Sequence, residues 1–172
     1  MSDYSRSDYF DRARMVSVAL LIVAAAVAIT GSFLDWVTIG VRPSIDPEAD
    51  FGGEQIEAPR IRAPYSGVDA TDGWYVIVGS GVLAATAAAL AVAKSRRYAW
   101  LAFIAAMFVG AIGFAAYRSV GNLDSSISRR MEIVGDPDPG LGITLVAIGG
   151  VLGLLGAVLG VIATPARRAE TL

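Results

Sequence analysis

The stretch GGVLGLLGAVLG, residues 149–160, holds five glycines in an aliphatic run that contains no polar residue. In water, each glycine in a helix interior costs about 1 kcal/mol relative to alanine. A lipid bilayer tolerates such a helix, because leaving the helix would expose unpaired backbone groups to hydrocarbon. The stretch therefore predicts a helix that crosses a membrane.

The composition of the whole chain favours the same class of protein. Of the 172 residues, 55% are hydrophobic and 17% are charged, whereas a typical soluble domain carries about 25% charged residues. The chain has no cysteine and no histidine, which excludes disulfides, thiolate metal sites and the side chain most often used as a general base. The composition thus indicates a membrane protein that can use neither cysteine nor histidine for catalysis.

Four segments are long and apolar enough to cross a bilayer, since each corresponds to about 30 Å of helix. They are residues 15–34, 74–93, 98–117 and 141–164. None of them contains Asp, Glu, Lys or Arg, and all seven prolines lie outside them. The sequence predicts an all-α integral membrane protein, folded as an antiparallel four-helix transmembrane bundle.

The basic residues predict the orientation of this bundle. The segments on one side, 1–14, 94–97 and 165–172, carry eight of the 14 basic residues but only four of the 16 acidic ones. Cytoplasmic segments are enriched in Lys and Arg. We therefore expect both termini to be cytoplasmic, in the inner membrane of a bacterium, with the loops 35–73 and 118–140 facing outward.

The first outer loop carries residues typical of a membrane interface at both of its ends. We expect Asp35 and Trp36 at the end of the first span, and Asp72 and Trp74 at the start of the second, to lie at this outer interface. Tryptophan is enriched at the headgroup level. A carboxylate such as Asp72 is favourable near the positive end of a helix.

The loops also contain candidate secondary structure. Residues 36–43 and 54–64 alternate as strands do, which predicts a small β-element over the helix ends. In the second loop, residues 123–133 (LDSSISRRMEI) predict a short amphipathic helix.

Small residues recur on one side of each predicted helix. At 100° per residue, the fourth span places five glycines within an arc of about 60°: Gly142, Gly149, Gly153, Gly156 and Gly160. The third span places Ala99, Ala102, Ala106, Gly110 and Gly113 on one side, the first span Ser17, Ala24, Ala28 and Gly31, and the second span Gly81, Ala84, Ala88 and Ala91.

Small faces let helix backbones approach closely in lipid, where helices are not driven together by hydrophobicity. Two alternatives remain open for the glycine stripe of the fourth span. It either packs within this bundle or faces outward against another membrane protein or a second copy of the chain.

No catalytic, cofactor-binding or metal-binding constellation is evident, and the basic residues fit topology and anionic lipid headgroups better than nucleic acid. We therefore expect a non-enzymatic accessory or scaffold subunit of a larger inner-membrane complex. Its expected partners are membrane lipids and either other integral membrane proteins or the chain itself. The alternative is an oligomeric transporter or channel-like protein for a lipid or small molecule.

The motifs GSFLDWV (31–37), which closes the first span, and DGW (72–74), which opens the second, carry a resemblance. The chain resembles small four-span integral membrane proteins of actinobacteria, including the group encoded near tryptophan biosynthesis genes. Members of that group have proline where this chain has Asp35. The resemblance covers the whole topology and implies no established activity. The strand-forming first outer loop is also similar in architecture to the claudin-like four-helix plan, without the paired cysteines of that loop.

Overall fold

The computed structural model of the chain describes residues 3–41, 61–68, 72–120 and 138–164. The helices in these ranges are α1 (Asp3–Phe33), α2 (Asp72–Ala93), α3 (Arg96–Val120) and α4 (Leu141–Ala163). The strands are β1 (Asp35–Val41), β2 (Ile61–Ser66) and β3 (Asp138–Pro139). The amphipathic helix predicted for residues 123–133 lies outside the described residues.

Each of the four helices contains a segment long and apolar enough to cross a membrane, which confirms the predicted all-α four-helix transmembrane bundle. The chain is a multi-pass membrane protein. Helix α1 begins at Asp3, well before the predicted start of the first span at Met15. Extending an existing helix costs little, and the Arg14 Nη2 atom lies 2.7 Å from Asp11 Oδ1, one turn away on the same helix.

The helices alternate in direction, and α4 packs against both α1 and α3. Helix α2 also packs against α1 and α3, so that α2 and α4 lie diagonally opposite each other. We call the end of the bundle that holds the short connection between α2 and α3 the turn end. The opposite end, where the strands lie, is called the sheet end.

The glycines of α4 make the closest contacts in the bundle. Near the sheet end, a Cβ atom on Gly142 would lie 2.6 Å from the Gly31 carbonyl oxygen of α1. On the neighbouring side, a Cβ atom on Gly150 would overlap the Gly110 Cα atom of α3. No side chain fits between these backbones, so glycine is required at both contacts.

The five stripe glycines are all buried inside the bundle. Gly149 faces Ala24 and Ala28 of α1, and Gly153 faces Ala106 of α3. Of the two alternatives that the sequence left open, packing within the bundle is therefore the arrangement that the structure has.

Three of the four small faces are used inside the molecule, and one is not. The small faces of α1 and α3 lie against α4, with Ala24, Ala28, Ala102 and Ala106 fully buried. The small face of α2 points the other way. Its Gly81, Ala88 and Ala91 are exposed, whereas larger residues such as Val76, Leu83 and Leu90 fill the core.

The strands form an antiparallel sheet in the order β2-β1-β3. Strand β1 pairs with β2 from Asp35↔Ser66 to Val41↔Ile61, with a bulge between Asp35 and Val37. The β-element predicted in the first loop is therefore present. Strand β1 lies close to the predicted residues 36–43, and β2 overlaps the end of the predicted segment 54–64, of which residues 54–60 lie outside the described residues. Strand β3 was not predicted, because two residues are too short to show an alternating pattern.

We predict that two glycine-to-alanine changes in membrane helices differ in their effect on the free energy of unfolding. Gly150→Ala lowers the free energy of unfolding by about 1–3 kcal/mol, the usual cost of overpacking a close contact. Gly81→Ala, which adds a methyl group where no atom lies within 4 Å, changes it by less than about 0.5 kcal/mol. Unfolding by SDS in mixed micelles measures both. Equal losses would contradict the close α3–α4 contact.

Candidate functional site

Trp36 joins the sheet to the helices. It occupies the bulge of β1, a feature that turns a side chain out of the regular alternation of a strand. The indole is 3% exposed, and its Nε1 atom donates a hydrogen bond to the Gly31 carbonyl oxygen at 2.9 Å. The structure therefore buries Trp36 within the protein, at the same end of the bundle as the other residues predicted for the outer interface.

Glycines make the space that the indole occupies. A Cβ atom on Gly67 would overlap the six-membered ring of Trp36, and one on Gly142 would lie 2.6 Å from its Cδ1 atom. Gly67 follows β2 and Gly142 lies in the first turn of α4. The indole is thus held between two chain segments that are far apart in sequence.

Backbone hydrogen bonds complete this junction. The Val68 amide donates to the Ser32 carbonyl oxygen at 3.1 Å, and the Gly140 amide donates to the Trp36 carbonyl oxygen at 2.8 Å. The Gly73 amide donates to the Gly67 carbonyl oxygen at 2.8 Å. Because these bonds link the strands to the end of α1, the start of α2 and the residue before α4, the sheet is fixed relative to these three helices.

The other predicted interface residues lie on the surface of the sheet end. Asp35 and Asp72 are exposed, and Asp72 is in the first turn of α2. Trp74 is 56% exposed, as is the neighbouring Tyr75, and Tyr117 of α3 is similarly exposed. Exposed aromatic rings near the ends of membrane helices are typical of the headgroup level. In the described part of the chain, neither carboxylate has an ion-pair partner.

A continuous exposed stripe runs along α2, and we call it the α2 stripe. It is formed by residues that recur every three or four positions and therefore share one side of the helix: Trp74, Val78, Gly81, Ala85, Ala88 and Val92. Its middle is made of the three smallest residues, and a Cβ atom on Gly81 would meet open space. The α2 stripe is thus a smooth surface that the bundle itself does not use.

Ser80 is the second unusual feature of α2. It is completely buried, and its Oγ atom has no hydrogen-bond partner among the described residues. It lies eight residues after the first residue of α2, about 12 Å along the helix axis. The other buried hydroxyls form bonds: Ser17 donates to the Gly156 carbonyl oxygen at 2.7 Å, and Thr86 to that of Leu83 at 2.8 Å.

Gly67, Gly73 and Ser80 were not predicted from the sequence. The two glycines lie on either side of the first residue of α2, but nothing in their spacing shows that a tryptophan about 30 residues before Gly67 packs against it. The serine is one polar residue in an apolar span, which is ordinary in membrane helices. Its unpaired hydroxyl depends on the rotation of α2 within the bundle.

Comparison with known proteins does not assign a family. No family model matches the chain, and no curated protein and no solved structure is significantly similar to it. The resemblance to small actinobacterial four-span proteins therefore stays an expectation from the sequence.

A double-mutant cycle tests the junction. We predict that Gly67→Ala destabilises the wild-type protein by about 1–3 kcal/mol, because its methyl group overlaps the indole. Trp36→Ala costs about 3–5 kcal/mol. In the Trp36→Ala background the second change costs little, which gives a coupling energy of about 1–3 kcal/mol in unfolding experiments. Additive losses would show that Gly67 and Trp36 do not act together.

Removal of the unpaired hydroxyl should stabilise the protein, whereas removal of a paired hydroxyl should destabilise it. Ser80→Ala raises the free energy of unfolding by about 1 kcal/mol, since burial of an unsatisfied hydroxyl is unfavourable. Ser17→Ala, which removes the hydrogen bond from α1 to α4, lowers it by about 0.6 kcal/mol. A loss of stability in Ser80→Ala would mean that the hydroxyl is bonded to a group such as a buried water molecule.

Proposed function

We propose that the chain is a non-enzymatic accessory or scaffold subunit of a larger assembly in the bacterial inner membrane. We further propose that α2 is the helix through which it contacts that assembly. The observation that carries the proposal is the exposed α2 stripe, with Gly81, Ala85 and Ala88 at its centre.

The use of small residues elsewhere in the molecule supports this role for α2. Gly150 of α4 and Gly110 of α3 bring two backbones into direct contact, as do Gly142 and Gly31. In lipid, such contacts provide much of the attraction between helices. Leucine or valine would fill a lipid-facing position equally well, so an outward face of small residues is best suited to another helix.

The dimensions of the stripe define the kind of partner that fits. Gly81 and Ala88 are seven residues apart, which is about 10 Å along the helix axis. A transmembrane helix with a small face of its own could approach α2 more closely than the usual 8–10 Å between helix axes. Val78 and Val92, which are exposed on either side, would then contact the larger side chains of that helix.

The charges at the two ends of the bundle support the orientation proposed for it. Lys94, Arg96 and Arg97 are exposed at the turn end, and Asp35 and Asp72 are exposed at the sheet end. The positive-inside rule then makes the turn end cytoplasmic. In this orientation the sheet, held by its tryptophan junction, faces away from the cytoplasm.

Site-specific cross-linking tests the proposed contact, and the absence of cysteine from the chain makes single-cysteine variants clean probes. We expect Ala85→Cys to form a cross-link to another membrane protein in native membranes. The matched control is Ala111→Cys, an equally small and exposed position on α3, which should give no such product. Adding Gly81→Leu to Ala85→Cys should abolish the cross-link and leave the unfolding transition of the purified chain unchanged.

Two outcomes would contradict the proposal. Equal cross-linking from the α2 and α3 positions would show that α2 has no special contact. A product containing only two copies of this chain would instead favour the alternative of an oligomeric transporter. That alternative would then be tested by measuring solute or lipid flux in liposomes containing the purified protein.

A further inference from the structure

The turn end of the bundle carries a concentrated positive charge. Its exposed described residues include the basic Arg12, Lys94, Arg96 and Arg97 and the acidic Asp8 and Asp11. A fifth basic residue, Arg14, is only 9% exposed. This end therefore has a clear excess of cationic groups over carboxylates.

Asp11 joins the two parts of this surface. Its Oδ1 atom lies 2.7 Å from Arg14 Nη2 and 4.0 Å from Lys94 Nζ. Arg14 belongs to α1, whereas Lys94 is the residue that follows α2. The first turns of α1 and the connection between α2 and α3 thus form one surface.

The backbone of the connection brings its three basic residues close together. Lys94 has a φ angle of 49°, the left-handed conformation that ends many helices, and its amide donates to the Leu90 carbonyl oxygen at 3.3 Å. Helix α3 begins two residues later, with Arg96 and Arg97 in its first turn. The positive end of the helix dipole also favours an anion.

The exposed Trp100 indicates how deep in the bilayer these cations lie, and therefore which anion they meet. Trp100 is 50% exposed on α3, and its ring packs edge-to-face with that of Phe103 at 5.8 Å. An exposed tryptophan one turn into a membrane helix is typical of the headgroup level. Arg96 lies four residues before it, about 6 Å further along the helix axis. With Trp100 at the headgroup level, the backbone of Arg96 and Arg97 reaches the depth at which lipid phosphates lie.

We infer that the turn end binds the phosphate groups of anionic phospholipids between Lys94, Arg96 and Arg97. Zwitterionic phospholipids present the same phosphate together with a compensating ammonium group, so the surface prefers the anionic class. Arg12 extends the same positive surface along α1. This inference rests on the charges of the turn end and is independent of the role proposed for α2.

The native tryptophans allow a direct test with the full-length chain in nanodiscs. Trp74→Phe leaves Trp100 as the exposed indole, at the turn end, and Trp100→Phe leaves Trp74, at the sheet end, while the buried Trp36 is common to both. Phospholipids with brominated acyl chains quench nearby indoles. At equal mole fractions, we expect brominated phosphatidylglycerol to quench Trp100 more strongly than brominated phosphatidylcholine does. We expect the two lipids to quench Trp74 equally.

Charge removal should abolish this preference. We expect each single substitution of a turn-end cation to reduce the enrichment of phosphatidylglycerol around Trp100 by up to about five-fold. The substitutions are Lys94→Gln, Arg96→Gln and Arg97→Gln, and the triple variant should lose the enrichment. The matched control, Arg118→Gln, neutralises an exposed arginine near the end of α3 at the sheet end and leaves the enrichment unchanged. Salt at about 1 M, where the Debye length is about 3 Å, should weaken the preference.

Three results would overturn the inference. They are equal quenching of Trp100 by the two lipids, an unchanged preference in the triple variant, and loss of the preference when millimolar inorganic phosphate is added. The last would assign the surface to a soluble phosphate. Helical circular dichroism of each variant verifies that a lost preference does not come from unfolding.

Discussion

The close approach of α4 to α1 and α3 is the contact on which the rest of the structure depends. Helices in lipid gain nothing from burying apolar side chains, since the solvent is equally apolar. They associate through dispersion contacts, which fall off steeply with separation. Gly150 against Gly110 and Gly142 against Gly31 remove the side chains that would hold the backbones apart. Helix α4 therefore brings α1 and α3 together along its glycine stripe.

The sheet end is organised by this same close packing. Gly142 lies in the first turn of α4, at the point where α4 meets both α1 and the indole of Trp36. A bulge turns that indole into the helices, and its Nε1–H group is satisfied by the Gly31 carbonyl oxygen. An isolated hairpin is marginally stable in water. Here the bundle supplies the packing partner, so a small sheet without disulfides keeps one position.

The two ends and the side of the molecule differ in the partners they suit. The side formed by α2 presents Gly81 and Ala85 to lipid, a surface adapted to another helix. The turn end presents Lys94, Arg96 and Arg97, a surface adapted to lipid phosphates. The sheet end presents Asp35 and Asp72 around a fixed sheet. These separate surfaces are the basis of the scaffold role that we propose for the chain.

The sequence by itself determined the four helices, their alternation and their small faces. The hydrocarbon thickness fixes the length of a span, and a continuous apolar segment of that length pairs all of its own backbone groups only as a helix. The tertiary structure decided which small face was buried. In a soluble bundle a polar stripe marks the outside of each helix. In a membrane the core and the lipid are both apolar, so the sequence around the buried Gly153 looks like the sequence around the exposed Gly81. The rotation of α2 exposes Gly81 and buries Ser80, and Trp36 packs against Gly67 and Gly142. Both features depend on contacts between segments that are remote in sequence. Periodicity along a single helix carries no information about such contacts.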